Sequence, residues 1–170
     1  MALVDRPPSR WLRAVLRAPI LLYRIGLGGL LGRRFVYVVH TGRRSGRRRE
    51  TVLEVVGYNP SVPEAFVVAA WGERADWYQN IVAAPAVEVR TGAQRWRRPQ
   101  HRVLDTDETV RVLRTFSARR PFTWRRLAPV MGLPADPRDP DFRDATTRLR
   151  SLAFTPRRAA DPSKPVRSNV

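Results

Sequence analysis

Between residues 34 and 104, apolar and polar positions alternate in short runs, the two-residue period of half-buried strands. The β-branched and aromatic stretches RFVYVVHT (34–41), RETVLEVVGY (49–58) and EAFVVAAW (64–71) predict three strands, separated by Gly-, Pro- and Asn-containing turns. In the second, Arg49, Thr51, Leu53 and Val55 share one face, and Glu50, Val52 and Glu54 the other. ERADWYQNIVAA (73–84) then takes the helical period, with Trp77 and Ile81, and Tyr78 and Val82, four residues apart, and Pro85 as its stop. AVEVR (86–90), the turn TGAQ and RWRRPQHRVL (95–104) predict a fourth and a fifth strand. DTDETVRVLRTFSARR (105–120) predicts a helix with an acidic first turn that Asp105 or Thr106 caps. FTWRRLAPVMG (122–132) predicts a shorter helix, and TRLRSLAFTPRR (147–158) a last strand. Hairpin-length connections with helices inserted argue for an α+β, mainly β fold: a small antiparallel barrel decorated by helices, and not a doubly wound sheet.

Before residue 34 the pattern changes. Arg10, Arg13, Arg17 and Arg24 recur at spacings of three, four and seven, near one helical face, while Trp11, Leu12, Val15 and Leu16 fall opposite. Such a basic amphipathic helix either lies on an anionic bilayer or packs on its own domain. It does not span: the charge-free run that follows, 25–32, is far shorter than the roughly 20 residues a transmembrane helix needs. A signal peptide is not expected, because Arg24 interrupts the apolar region. The chain thus divides into an N-terminal helix and Gly-rich linker (1–33), a barrel domain (34–156) and a tail (157–170) expected to be disordered.

Composition narrows the chemistry. The chain of 170 residues carries a formal net charge of +17 and 43% hydrophobic residues, enough for one globular core and a strong pull on anionic partners. No cysteine is present, which removes disulfides and thiolate metal sites. His40 and His101 are the only imidazoles, about 60 residues apart without carboxylates at ligand-like spacing, so no metal is expected. The glycines at 26, 28, 29 and 32 miss the dinucleotide fingerprint, and no P-loop occurs. Ser45 and Ser117 lack a nearby His, so no hydrolytic triad assembles, and no catalytic residue is assigned. A protein that binds and orients a cofactor fits better.

The most unusual stretch is HTGRRSGRRRETVL (40–53), with five arginines between residues 43 and 49. It is a clamp for nucleic acid, a solvated charge run, or a cradle for one polyanion. Together with WGERADWYQNIVAAPAVEV and the leading LYRIGLGGLLGRRFVYVVHTG, it resembles the deazaflavin (F420)-dependent nitroreductase family of actinobacteria, over about residues 20–131. The resemblance implies a split β-barrel of the flavin-reductase, FMN-binding type. It also implies coenzyme F420 (8-hydroxy-5-deazaflavin), with FMN less favoured, and hydride transfer to a quinone, nitro compound or activated alkene.

In such relatives the basic turn and an Arg shortly after it hold the anionic tail of the coenzyme, which carries over to Arg43, Arg44, Ser45, Arg49 and Thr51. The loop after the third strand and the next helix line the ring, which carries over to Ala70, Trp71, Gly72, Trp77 and Asn80. Relatives often have a polar residue and Pro where this chain has Arg47 and Arg48, and small or basic residues in place of Trp71. The segments that set acceptor specificity correspond to the N-terminal helix and to Phe116, Phe122 and Trp124. The expected protein is cytoplasmic, with peripheral contact on the inner membrane face left open by the basic N-terminal helix, with room for a homodimer and with no nucleic-acid partner. The competing reading is a non-enzymatic nucleic-acid-binding or membrane-surface protein on the same barrel, for which only RWRR (95–98) offers an aromatic between basic residues.

Overall fold

The computed structural model describes residues 20–157. The N-terminal amphipathic helix and most of the expected tail therefore lie outside the described residues. After a helical stretch at 20–24, a 3-10 segment, Leu27–Arg34, leads into β1, Phe35–Thr41. There follow β2 (Arg48–Glu54), β3 (Gly57–Asn59) and β4 (Glu64–Ala69), a short 3-10 turn (Gly72–Arg74), and helix α1 (Asp76–Ala83). Strands β5 (Glu88–Thr91), β6 (Gln94–Arg97) and β7 (Gln100–Val103) precede α2 (Thr106–Arg119), α3 (Pro121–Met131) and α4 (Phe142–Thr146), and β8 (Arg150–Thr155) ends the order.

The strands form two four-stranded antiparallel sheets, in the orders β2-β1-β5-β6 and β3-β4-β8-β7. The chain passes from sheet to sheet three times: at two tight corners, β2–β3 and β6–β7, each joining an edge strand to an edge strand, and through α1 between the inner strands β4 and β5. This makes the architecture a split barrel with open seams. Both corners correct the strands predicted from alternation. The run 49–58 breaks because the Val55 N–H donates to Arg34 O and the Val56 N–H to Phe66 O, both at 2.9 Å, so neighbouring amides serve different sheets. The run 95–104 breaks at Arg98, which takes φ 46°, and at Pro99, which has no N–H to offer a ladder.

Alternation sorts the side chains into three cores. Val36, Val38, Val67, Val89, Leu152 and Phe154 meet between the sheets, where α1 adds Tyr78 and Ile81. Phe66 and Val68, on the other face of β4, pack on the cluster of Leu113, Phe116, Trp124 and Phe142 from α2, α3 and α4. On the outer face of β1, Tyr37 and Val39 are covered by Tyr23, which stacks on Tyr37 at 5.2 Å between ring centroids and donates its hydroxyl to Phe35 O. Burial pushes the Tyr23 phenol up to about 12. With both faces covered, β1 is an unbroken apolar run rather than an alternating one. Asp105 caps α2, accepting from the Glu108 N–H at 2.7 Å.

Candidate functional site

The β1–β2 connection is a compact turn. The Ser45 and Gly46 N–H groups both donate to Gly42 O, the Gly42 N–H donates to Arg47 O at 2.9 Å, and Gly46 takes φ +63°. A Cβ at Gly42 would come within 2.9 Å of Ser45 Oγ, so that hydroxyl would have to shift to admit any other residue. The turn is tied to α1 by a buried amide. Asn80, 5% exposed, accepts at Oδ1 from the Arg43 N–H (2.9 Å) and from Arg43 Nη1 (3.1 Å). Asp76, one helical turn earlier, pairs with the same guanidinium at 3.0 Å, but it is 86% exposed and adds at most about 1 kcal/mol. Asn80 is the anchor, because an unmet buried polar group costs about 1–3 kcal/mol.

The five arginines therefore divide. Arg43 is committed to α1, and Arg48 to Glu50 at 3.4 Å. Arg44, Arg47 and Arg49 make no ion pair among the described residues. The apolar neighbours of Arg49 on β2 suggest shelter, but Arg49 is exposed, because it stands at the exposed start of the strand. Its cross-strand partner is His40, 4% exposed, on the same face of β1 as Val36 and Val38. His40 Nδ1 has no hydrogen-bond partner. Burial holds the imidazole below its ordinary value and Arg49 pushes the same way, against the Thr41 backbone and Asp76, so it is neutral near pH 7.

The remaining sequence-derived positions fall into place as follows. Thr51 is half-buried on β2 opposite Val38, and Ser45 lies inside the turn, its Oγ accepting from the Arg47 N–H at 3.4 Å. Ala70, Trp71 and Gly72 follow β4. Ala70 packs on the α2–α4 cluster, Trp71 is 38% exposed, and Gly72 (φ +55°) sits where a Cβ would meet Arg148 O at 2.4 Å. Close packing alone thus requires Gly72. Trp77 packs partly against the barrel core, edge-on to Tyr78. Phe116 and Trp124 are interior, and only Phe122 of that trio faces solvent. Trp96 is buried as well, which removes the stacking platform that RWRR would need for single-stranded nucleic acid. The motif transfer did not anticipate that Asn80 anchors Arg43. That anchoring was signalled by Asp76 and Asn80 standing four apart on α1, side by side on one helical face.

Among the described residues, no group of three or more His, Asp or Glu side chains could hold a metal. No helix among them is long and apolar enough to cross a membrane.

A two-sheet split barrel bearing an arginine turn with unpaired positive charge is a frame suited to holding an anionic ligand. Residues 23–123, over half the chain, match the F420H(2)-dependent quinone reductase family, and the chain belongs to that family. It is accordingly an F420-dependent oxidoreductase whose coenzyme is F420. No curated protein matches it. Among solved structures it is similar to an F420-H2 dependent reductase (FDR-A), at 19% identity over 72% of this chain and 95% of that one, with a TM-score of 0.44. It is also similar to a structure described as a domain-swapped dimer (20% identity, 87% and 99% covered, TM-score 0.45). A pyridoxamine 5'-phosphate oxidase-related, FMN binding protein from Nostoc punctiforme matches at 13% identity, with 88% and 81% covered and a TM-score of 0.41. At such scores the family assignment rests on the sequence match. A phosphate and carboxylate tail is chemically matched by the three guanidiniums of the turn, Arg44, Arg47 and Arg49, that make no ion pair among the described residues.

Proposed function

We propose that the chain transfers hydride from reduced F420 to a small quinone, nitro compound or activated alkene, and that the β1–β2 turn holds the coenzyme by its anionic tail. The observation that carries this reading is the separation of Arg44, Arg47 and Arg49 from every described carboxylate, in a turn held rigid by Asn80. The coenzyme, when bound and reduced, supplies the hydride. The protein binds and orients. Arg44, Arg47 and Arg49 neutralise the tail through charge-assisted hydrogen bonds, and Arg43 keeps the turn seated on α1. In this reading Trp71, partly exposed after β4, and Trp77 on α1 supply apolar surface toward the coenzyme ring. The proton that completes acceptor reduction comes from solvent.

The N-terminal segment supports peripheral contact with an anionic bilayer, where an apolar quinone would be concentrated. Leu21, Ile25, Leu27 and Leu30 are exposed on the segment that follows the basic amphipathic stretch. The functional reading is tested by following oxidation of reduced F420 with a naphthoquinone, a nitroarene and an enone, with and without anionic liposomes. At least one acceptor should be reduced at a rate proportional to enzyme. Rates equal to buffer for all three would contradict the proposed acceptor classes.

A further inference from the structure

The corner between β6 and β7 has features that the coenzyme turn does not use. A cleft of about 740 Å³ opens there, within the volume range of small-molecule sites. Its apolar surface comes from Pro85, Val87 and Pro99, with Val87 left exposed, and its polar rim includes Arg98, Arg157 and His101. No carboxylate lines it. The nearest strand carboxylate on the β5 side, Glu88, has both oxygens engaged, one by Arg90 and the other by Arg95 at 2.8 Å from Nε. Arg98 and Arg157 make no ion pair among the described residues. Arg98 is also the one non-glycine described residue with positive φ, 46°, a backbone state that glycine would occupy without strain. Its N–H is fixed by Val87 O at 2.9 Å. A long cationic side chain thus stands at a strained position, over an apolar floor, without a counter-charge.

From these features we infer a second ligand site at this corner, for a small molecule with a flat apolar body and one anionic group such as a carboxylate. The site is separate from the coenzyme turn. Arg49 lies on β2 and the corner follows β6, three strand spacings or roughly 14 Å away across the β2-β1-β5-β6 sheet. The inference stands whether or not the turn holds F420. Burial lowers the His101 imidazole, so near neutrality it offers a neutral hydrogen bond and the anion is met by the two guanidiniums.

The test uses the full chain saturated with F420, titrated with naphthoate and with its neutral analogue naphthylmethanol. Naphthoate should bind one to one and at least ten-fold tighter than the alcohol. Arg98→Gly keeps the backbone state and removes the charge, so it should weaken naphthoate at least ten-fold with F420 affinity unchanged. Arg157→Ala should weaken it in the same direction and serves as the second variant if the first disturbs the corner. Equal binding of acid and alcohol would overturn the inference. So would unchanged naphthoate affinity in both variants, or a naphthoate affinity that differs between F420-free and F420-saturated protein.

Discussion

Two regions of this molecule present arginines at its surface and differ in what their charges meet. Around α2, Arg102 grips Glu108 through two nitrogens at 2.7 Å and Glu64 through Nε at 2.9 Å. Those carboxylates in turn raise the guanidinium's proton affinity, and the Arg102 hydrogen bonds hold Glu108 below its ordinary range. At the β1–β2 turn, Arg44, Arg47 and Arg49 have no such partners among the described residues, although the turn itself is tied down by Asn80. The first region spends its positive charge inside the fold. The second keeps like charges together on a rigid frame, an arrangement that repels itself until an anion arrives. On the proposed reading it is this rigid, unneutralised cluster, rather than charge density alone, that receives the coenzyme tail.

The comparison is broken most severely by removing both kinds of charge in turn. Arg44→Ala with Arg49→Ala should raise the F420 dissociation constant about a hundred-fold, since each charge-assisted contact contributes roughly 1.5 kcal/mol and 1.4 kcal/mol is a decade. Thermal stability should stay the same or rise slightly. Arg102→Ala should do the reverse, leaving F420 affinity alone and lowering unfolding stability by about 1–2 kcal/mol, a figure discounted for partial exposure. Calorimetry and chemical denaturation read the two effects separately.

A smaller effect sharpens the role of the frame. Asn80→Ala should cost about 1 kcal/mol of stability and weaken F420 several-fold, because the turn loses its seat on α1 while keeping its arginines. Asp76→Ala, removing only the exposed partner, should be nearly silent.

The smallest expected effect is a pH dependence. The folded His40 value is lowered, so at pH below about 6.5 the unfolded chain takes up a proton that the folded one resists. Stability is fully present above that pH and is lost as pH falls through the folded value. His40→Gln should flatten this part of the stability profile, measured by urea denaturation at successive pH values. Glu108, also lowered, gives a similar loss only in the more acidic carboxylate range.

Much of the fold was legible because alternation and helical period are local. The apolar run of β1, the break at Pro85 and the Asp105 cap need no knowledge of distant residues. The corners were not legible. Alternation continues straight through 49–58, and only the destinations of the Val55 and Val56 amides, Arg34 and Phe66, divide it into two strands. At 95–104 the proline was visible, but the positive φ of Arg98 was not. For the candidate site, the motif singled out the turn, while the fate of each arginine depended on acids far along the chain: Asp76 for Arg43, 33 residues away, and none described for Arg49. The exposure of Arg49 likewise follows from its place at the exposed start of the strand, which composition of the strand does not reveal.

The most direct test of the central claim compares F420 with the deazaflavin riboside that lacks the lactyl-phosphate and glutamate tail, each titrated against the parent protein and Arg49→Ala. If the turn reads the tail, Arg49→Ala weakens F420 about ten-fold and leaves the affinity of the tail-less compound unchanged. Equal loss for both compounds, or no loss for F420, would contradict it.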